Sequence, residues 1–323
     1  MTQPDSHAAG DTGELLHLPL TGKARVKYFF IRALFKAASR IAAILPERVT
    51  YALCVGLAMF GYKRFPRFRR MARAHLDIAF GAEKSPAEIE TILRQTYANQ
   101  GRNLAEFLMI PHKNADWVNR KVHLNDPGDH LNRELAQGRG VIAVGAHIGN
   151  IELVCAWIGV NKLPMVTVVK AQRDALFTKF LTDVRSKWDT QMIFRARGVK
   201  RECLKQMGEN KIIGLVADQN VARNGVFVDF FGKKASTAVG PADIAMQTGR
   251  PVLPAFWATR NPDNTLTVHV LDPIAMRDSG DRAADLVHNA QLYTTAIENF
   301  VRAYPAEYLW WHQRWKTRPA DEA

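Results

Sequence analysis

The sequence is poor in cysteine and has no apolar run long enough to cross a membrane. Its three cysteines, Cys54, Cys155 and Cys203, are scattered over 323 residues and form no CxxC pair. These counts argue against a disulfide framework and against a thiolate zinc site. The apolar stretch 49–62 carries no charge but has only 14 residues, whereas a transmembrane helix needs about 20. With a mean hydropathy of −0.18, the chain is not a polytopic membrane protein.

Acidic residues are almost absent from residues 23–73, which contain thirteen lysines and arginines and Glu47 as the one acid. The segment therefore carries a charge of +12, nearly all of the chain's net +13. Aromatic and aliphatic residues lie between these cations at helical spacing, which is typical of an amphipathic helix on a membrane surface. A solvated basic helix face is the alternative interpretation. No zinc-finger or RNA-binding motif accompanies the charge, so we expect no nucleic-acid partner.

The rest of the chain alternates between short apolar runs and helical patterns. Predicted strands cover 140–145, 165–169, 191–194, 212–217, 251–257 and 265–270, and predicted helices cover 86–110, 128–137, 150–159, 173–187, 198–208, 238–249 and 281–303. This alternation predicts an α/β fold with a mostly parallel mixed sheet flanked by helices. We assign residues 75–323 to one catalytic domain. Residues 1–74 are assigned to a basic amphipathic N-terminal region that associates with membranes, as one helix and a short apolar hairpin.

One histidine and one acid stand where a predicted strand turns into a helix. His147 follows the run 140–145, and Glu152 lies in the first turn of the next helix, for which Asn150 is a suitable N-cap. A carboxylate that holds one ring nitrogen leaves the other nitrogen free to accept a proton. The simpler interpretation is a polar strand end followed by an acid that favours the helix dipole.

Five blocks together resemble a known family. The HxxxxE pair resembles the HX4D/E motif of glycerolipid acyltransferases. Residues 216–220, 225–232, 249–254 and 308–319 are similar, in order and spacing, to blocks of the bacterial lipid A late acyltransferases. The resemblance covers about residues 25–319. Many relatives begin with a clear hydrophobic span, whereas here that region is basic and interrupted.

The resemblance implies a catalytic set and a reaction. His147 would be the general base with Glu152 as its orienting acid, and Arg185 and Asp218 would complete the catalytic residues. Asp218 would organise the site or hold the Arg185 side chain. Asn150, Gln219 and Arg314, which lie in the same blocks, are predicted to bind substrate. No cofactor and no metal ion are implied. Because no G-x-S-x-G motif is present, direct transfer is favoured over an acyl-enzyme.

The resemblance also implies partners. The donor would be an acyl carrier protein thioester, and the acceptor a hydroxyl of an anionic Kdo-bearing lipid A precursor. Residues 1–22 are polar and show no cleavable signal, so the expected location is the cytoplasmic face of the inner membrane, in contact with its lipids. A glycerophospholipid or phosphatidylinositol mannoside acyltransferase is the first alternative. A non-catalytic basic membrane-binding protein is the second.

Overall fold

The computed structural model describes residues 22–169, 182–188, 190–195 and 198–320. The α-helices that lie wholly within these ranges are α1 (Gly22–Ile44), α2 (Glu47–Arg64), α3 (Pro66–Phe80), α4 (Pro86–Met109), α5 (Ala115–Lys121), α6 (His130–Ala136), α7 (Ile151–Val160), α8 (Val199–Gly208), α9 (Gly240–Thr248) and α10 (Arg282–Ala303). The strands are β1 (Val122–Asn125), β2 (Val141–Gly145), β3 (Met165–Val169), β4 (Gln191–Phe194), β5 (Ile212–Val216), β6 (Gly225–Phe230), β7 (Lys233–Ala238), β8 (Val252–Arg260) and β9 (Leu266–Val270).

Seven strands form one mixed sheet in the order β1-β9-β8-β2-β5-β3-β4. All neighbouring pairs are parallel except β8 and β9, which are antiparallel. Strands β6 and β7 form a separate antiparallel hairpin. The predicted α/β class with a mostly parallel mixed sheet is therefore confirmed.

Apolar side chains on the two faces of the sheet belong to two different core clusters. Along β2, Ile142 and Val144 pack into one cluster, and Val141 and Ala143 pack into the other. Helices α3, α8, α9 and α10 contribute to the first cluster, α1, α5, α6 and α7 contribute to the second, and the long helices α2 and α4 contribute to both. Helices on both faces explain why the central strands are uniformly apolar rather than alternating.

Most of the predicted elements have close counterparts in the structure. Helix α4 begins at Pro86, and Ser85 and Glu88 form a reciprocal capping box in front of it. The predicted helix 173–187 lies largely outside the described residues. Within it, residues 182–185 are helical and are followed by a 3₁₀ turn. Strand β1, helix α5 and the β6–β7 hairpin were not predicted.

From residue 22 onward, the N-terminal region consists of α1, α2 and the first part of α3 instead of one helix and a hairpin. The predicted hairpin over 49–62 is wrong, because these residues belong to the single helix α2. The boundary proposed at residue 74 falls inside α3, whose Ala72 and Leu76 share one core cluster. On α2, the Tyr62 ring packs edge-on against Tyr97 of α4, with ring centroids 5.2 Å apart. Residues on both sides of the boundary thus pack into the same core.

We expect Y62A to destabilise the whole protein. Tyr62 is buried, and its truncation would leave a cavity between α2 and α4 that costs about 3 kcal/mol of unfolding free energy. The matched control is F60A, two positions away on the same helix, where the ring is 58% exposed and the expected change is within about 0.5 kcal/mol. Urea denaturation followed by tryptophan fluorescence measures both values. A separate early transition in Y62A, with the main transition unmoved, would show that α2 is not part of the core.

Candidate active site

A tight turn, residues 146–150, carries His147 from the end of β2 to the start of α7. The turn requires glycine at position 149, where φ is +73° and a Cβ atom would lie 2.2 Å from the carbonyl oxygen of Ala258. Asn150 is the N-cap of α7, as predicted, and its side-chain oxygen accepts hydrogen bonds from the backbone N–H groups of Glu152 and Leu153. The sharp turn leaves His147 at the carboxyl edge of the sheet.

Asp218 is the carboxylate that holds His147. It follows β5, the parallel neighbour of β2, so the two chain segments leave the sheet side by side. The His147 Nδ1 atom lies 2.8 Å from Asp218 Oδ1, and the His147 backbone N–H donates to Oδ2 at 3.0 Å. Because the carboxylate accepts the Nδ1 proton, the Nε2 atom of the neutral ring presents its lone pair.

The Gln219 side chain contacts that second ring nitrogen. Its Nε2 atom lies 3.2 Å from Nε2 of His147. An amide can donate to the neutral ring and, turned over, can accept from the charged ring. Gln219 therefore occupies the hydrogen-bonding position at Nε2 of His147.

His147 and Asp218 shift each other's pKa in opposite directions. Burial disfavours the charged ring, but the charge and hydrogen bond of Asp218 outweigh burial and raise the pKa of His147 above its ordinary value. Burial also disfavours the Asp218 carboxylate, but His147 and the nearby Arg314 guanidinium lower the pKa of Asp218 below its ordinary value. The carboxylate thus remains ionised next to the ring at neutral pH.

Glu152 does not orient His147, which corrects the role predicted for it. Its carboxylate instead forms a two-pronged pair with Arg185, with Oε2 2.9 Å from Nε and Oε1 2.6 Å from the terminal NH2 nitrogen. Asp218 occupies the histidine side of the turn, and it does not hold Arg185. The roles of the two acids are therefore exchanged relative to the expectation.

The predicted substrate contacts of Asn150 and Arg314 also differ from the structure. The Asn150 side chain is buried, and its amide nitrogen donates to Glu106 at 2.5 Å. Arg314 is 1% exposed and bonds to the Ser236 carbonyl and the Thr237 hydroxyl of β7. The Arg314 side chain braces the β6–β7 hairpin, and the Asn150 side chain bonds to Glu106 and to the start of α7.

An open groove of about 280 Å³ leads to His147. It is lined by residues of α4, by the turn 146–150 with the start of α7, and by Leu309, the α4 contribution being Gln100, Asn103, Leu104 and Phe107. Among the described residues, no serine or cysteine lines this groove. Within the same ranges, no cluster of three or more His, Cys, Asp or Glu side chains could hold a metal ion.

The polar residues of α4 were missed in the sequence. Asn99, Asn103 and Glu106 follow one another at spacings of four and three, which places them on one face of the predicted helix. A stripe of polar residues on one face of a predicted helix was the sequence signal that could have found these residues. His312 was also missed as an individual residue: its Nε2 accepts the Asn220 backbone N–H at 2.8 Å, and burial lowers its pKa to about 4.

We expect D218N, and not E152Q, to lower the pKa of His147. D218N removes the charge that raises this pKa but leaves the burial that lowers it, so the value should fall below that of the wild type. E152Q should leave the raised value in place. The measurement is the pH titration of the His147 ring by NMR in protein with labelled histidine, assigned with H147Q. A fall in E152Q alone would restore Glu152 as the orienting acid.

Comparisons with known proteins identify the family of this chain. The sequence model of the family described as bacterial lipid A biosynthesis acyltransferase matches residues 22–317. The phosphatidylinositol mannoside acyltransferase of Mycolicibacterium smegmatis is 24% identical over 293 residues, 89% of this chain and 92% of that protein. The same-named protein of Mycobacterium tuberculosis H37Rv is 28% identical over 236 residues, 71% of this chain and 72% of that protein.

The lipid A biosynthesis lauroyltransferase of Escherichia coli K12 is 24% identical over 280 residues, 85% of this chain and 88% of that protein. These relatives are all named acyltransferases, and they cover most of their own length as well as most of this chain. The match extends from the N-terminal helices through the turn 146–150 to the C-terminal segment. The chain is an acyltransferase and belongs to the bacterial lipid A biosynthesis acyltransferase family.

Proposed function

We propose that this enzyme transfers an acyl chain from an acyl carrier protein thioester to a hydroxyl of a Kdo-bearing lipid A precursor. His147 is the general base of the reaction. The observation that carries this assignment is the contact of His147 Nδ1 with the buried Asp218 carboxylate while the ring faces an open groove. Asp218 is its orienting acid, in place of the predicted Glu152.

The base acts on the acceptor hydroxyl. The hydroxyl displaces the Gln219 amide from Nε2 and gives its proton to the ring as its oxygen attacks the thioester carbonyl. The new C–O bond forms, the C–S bond breaks, and the imidazolium returns the proton to the departing thiolate. Asp218 stabilises the charged ring during this step, because its carboxylate is buried and ionised.

The start of α7 supports the oxyanion better than Arg185 does. Residues 149–152 line the groove, so the positive end of the helix faces the reacting carbonyl. Arg185 is already committed to Glu152 by two hydrogen bonds. Glu152 thus lines the groove with its charge balanced by Arg185, which lies beside it in a neighbouring cavity.

Direct transfer fits the groove better than an acyl-enzyme does. The groove residues include no serine or cysteine within the described part of the chain. Cys155, on α7, is buried behind Glu152, and burial raises its pKa to about 11, so the thiol stays protonated at neutral pH. Without a nucleophile beside His147, the acceptor itself attacks the thioester.

The family and the surface charge together favour a lipid A precursor as the acceptor. The family description and the Escherichia coli relative name lipid A biosynthesis, and the basic surface suits a multiply anionic lipid. The mycobacterial relatives, which are matched at similar identity, favour a phosphatidylinositol mannoside as the second candidate. Both acceptors offer a hydroxyl, so the same base serves either reaction.

We expect the purified enzyme to add one acyl group, as an ester, to a Kdo-bearing lipid A precursor. The acceptor panel contains this precursor, the same precursor without Kdo, a phosphatidylinositol mannoside and a lysophospholipid. Each is offered in detergent with acyl carrier protein thioesters or acyl-coenzyme A, and mass spectrometry identifies the products. H147Q should lower turnover by about 10²–10⁴-fold, because it removes general base catalysis.

Each outcome of this panel has a definite meaning. Acylation of the phosphatidylinositol mannoside or the lysophospholipid alone would overturn the lipid A assignment and keep the His147 chemistry. A preference for acyl-coenzyme A would overturn the assignment of an acyl carrier protein thioester as the donor. Full turnover in H147Q would overturn the mechanism, and no product in any arm would favour the non-catalytic alternative.

The exposed apolar face of the N-terminal helices supports membrane binding. Large apolar side chains that are more than half exposed lie along α1, along α2 and around the start of α3: Val26, Phe29, Phe30, Leu34, Ile41, Ile44, Leu53, Leu57, Phe60, Phe65 and Phe68. So many exposed large apolar side chains on neighbouring stretches of one chain are unusual on a protein that stays in water. Within the described residues, no helix is long and apolar enough to cross a membrane. We propose that this face, with its neighbouring cations, binds the cytoplasmic face of the inner membrane.

We expect F29E/F30E to weaken binding to anionic phospholipid vesicles by at least about tenfold, because two phenylalanine rings no longer enter the bilayer. Both rings are about two-thirds exposed, 67% and 65%, so the fold should be unaffected. The matched control is V287E, an exposed apolar position on α10, which should bind as the wild type does. Vesicle sedimentation at low and high salt measures the affinity. Equal binding by all three proteins would contradict the assignment of the membrane face.

A further inference from the structure

A buried ion pair lies next to the turn 146–150 and takes no part in the chemistry proposed above. Glu106 of α4 is fully buried, and Arg260 at the end of β8 is nearly so. The two guanidinium NH2 nitrogens lie 2.6 and 2.8 Å from the two carboxylate oxygens. Burying such a pair gives little net stability, because desolvation offsets the attraction. The arrangement around the pair indicates a different role.

The Glu106 carboxylate joins α2 to the turn 146–150. Its Oε1 accepts the Tyr51 hydroxyl at 2.8 Å, and Tyr51 lies on α2. Its Oε2 accepts the Asn150 amide at 2.5 Å, and Asn150 is the N-cap of α7. Each carboxylate oxygen therefore accepts one bond from Arg260 and one from a neutral donor, which satisfies its four acceptor sites.

The same cluster holds Gly149 on both sides of its backbone. The Asn103 amide donates to the Gly149 carbonyl at 3.2 Å, and the Asn103 oxygen accepts from Arg260 at 2.8 Å. The Gly149 N–H donates to the Glu307 carbonyl at 2.9 Å, and the Glu307 carboxylate accepts the Arg260 backbone N–H at 3.1 Å. Gly149 lies two residues after His147, so a shift of this backbone would move the ring away from the groove.

We propose that Glu106 is a positioning residue for His147, and that it sets the turn 146–150 relative to α2 through Tyr51 and Asn150. The inference rests on the proposed function, in which His147 is the base. It extends that function by assigning a role to a residue that does not touch the reacting atoms. Because α2 exposes Leu53 and Leu57 on the proposed membrane face, the same carboxylate links the membrane-facing helices to the base.

The chain offers a matched pair of variants. Tyr51 and Tyr62 both lie on α2, both are buried, and both hydroxyls bond to a glutamate of α4, Glu106 and Glu90. Y51F should lower kcat about fivefold with KM within about twofold, the effect of one lost hydrogen bond on a transition state. Y62F should leave kcat within about twofold. Equal kcat values for the two variants would overturn the proposal.

Placing a charge beside Glu106 gives the second test. N150D keeps an oxygen that caps α7 but replaces the amide donor by a carboxylate facing Glu106, so kcat should fall at least about tenfold. The matched control is N150S, whose hydroxyl also caps α7 but places no charge next to Glu106, so its kcat should stay within about threefold of the wild type. Equal kcat values for N150D and N150S would overturn the link between Glu106 and the turn.

A measurement that needs no enzymatic turnover distinguishes the positioning role of Glu106 from the proposed function. The rate at which diethyl pyrocarbonate modifies His147, measured by mass spectrometry, should change in Y51F and N150D and stay unchanged in Y62F. If no acceptor is acylated by the wild type but these rates differ as expected, the proposed function fails and the positioning role holds. Unchanged modification rates in all variants would overturn the positioning role, whatever the acceptor.

Discussion

The hydrogen-bonded pairing of β2 with β5 is the constraint on which the site depends. Gly145 at the end of β2 is in register with Val216 at the end of β5, and the Ala217 N–H donates to the Gly145 carbonyl at 3.1 Å. Parallel strands end at the same edge, so the residues that follow them meet there. His147 and Asp218 come into contact for this reason, and both the ring and the backbone of His147 bond to the same carboxylate.

Three carboxylates near the turn 146–150 are each paired with one basic side chain, a histidine or an arginine. Asp218 bonds to His147, Glu152 to Arg185, and Glu106 to Arg260. In a medium of low dielectric an unpaired charge would be costly, and a satisfied network is rigid. The His147 ring is the group of the set that faces both its acid and the open groove. Asp218, Glu152 and Glu106 are chemically similar, but each has a different place in the site because each has a different basic partner.

The N-terminal helices combine two roles on opposite sides. Their inner sides enter the core through Tyr51, Cys54 and Tyr62, whereas their outer sides expose a broad apolar face next to many cations. A helix that is apolar on both sides is ordinarily buried on both. The exposed side is the surface for which we propose membrane binding, and the packed side is linked to the turn 146–150 by the hydrogen bonds from Tyr51 and from Asn150 to Glu106.

Local patterns in the sequence predict much of this protein. The apolar runs gave the central strands, Ser85 and Pro86 gave the start of α4, and the motifs gave the site region with His147 and its neighbouring acids. What the sequence could not decide is which acid meets the histidine, because that depends on the order of strands in the sheet. Glu152 is near in sequence, but Asp218 is near in space, since β5 lies beside β2. The contacts of Arg314 with the β6–β7 hairpin and of the polar α4 residues with the turn 146–150 likewise depend on tertiary packing. Pattern and spacing act over a few residues, whereas contacts between distant segments exist only once the chain is packed.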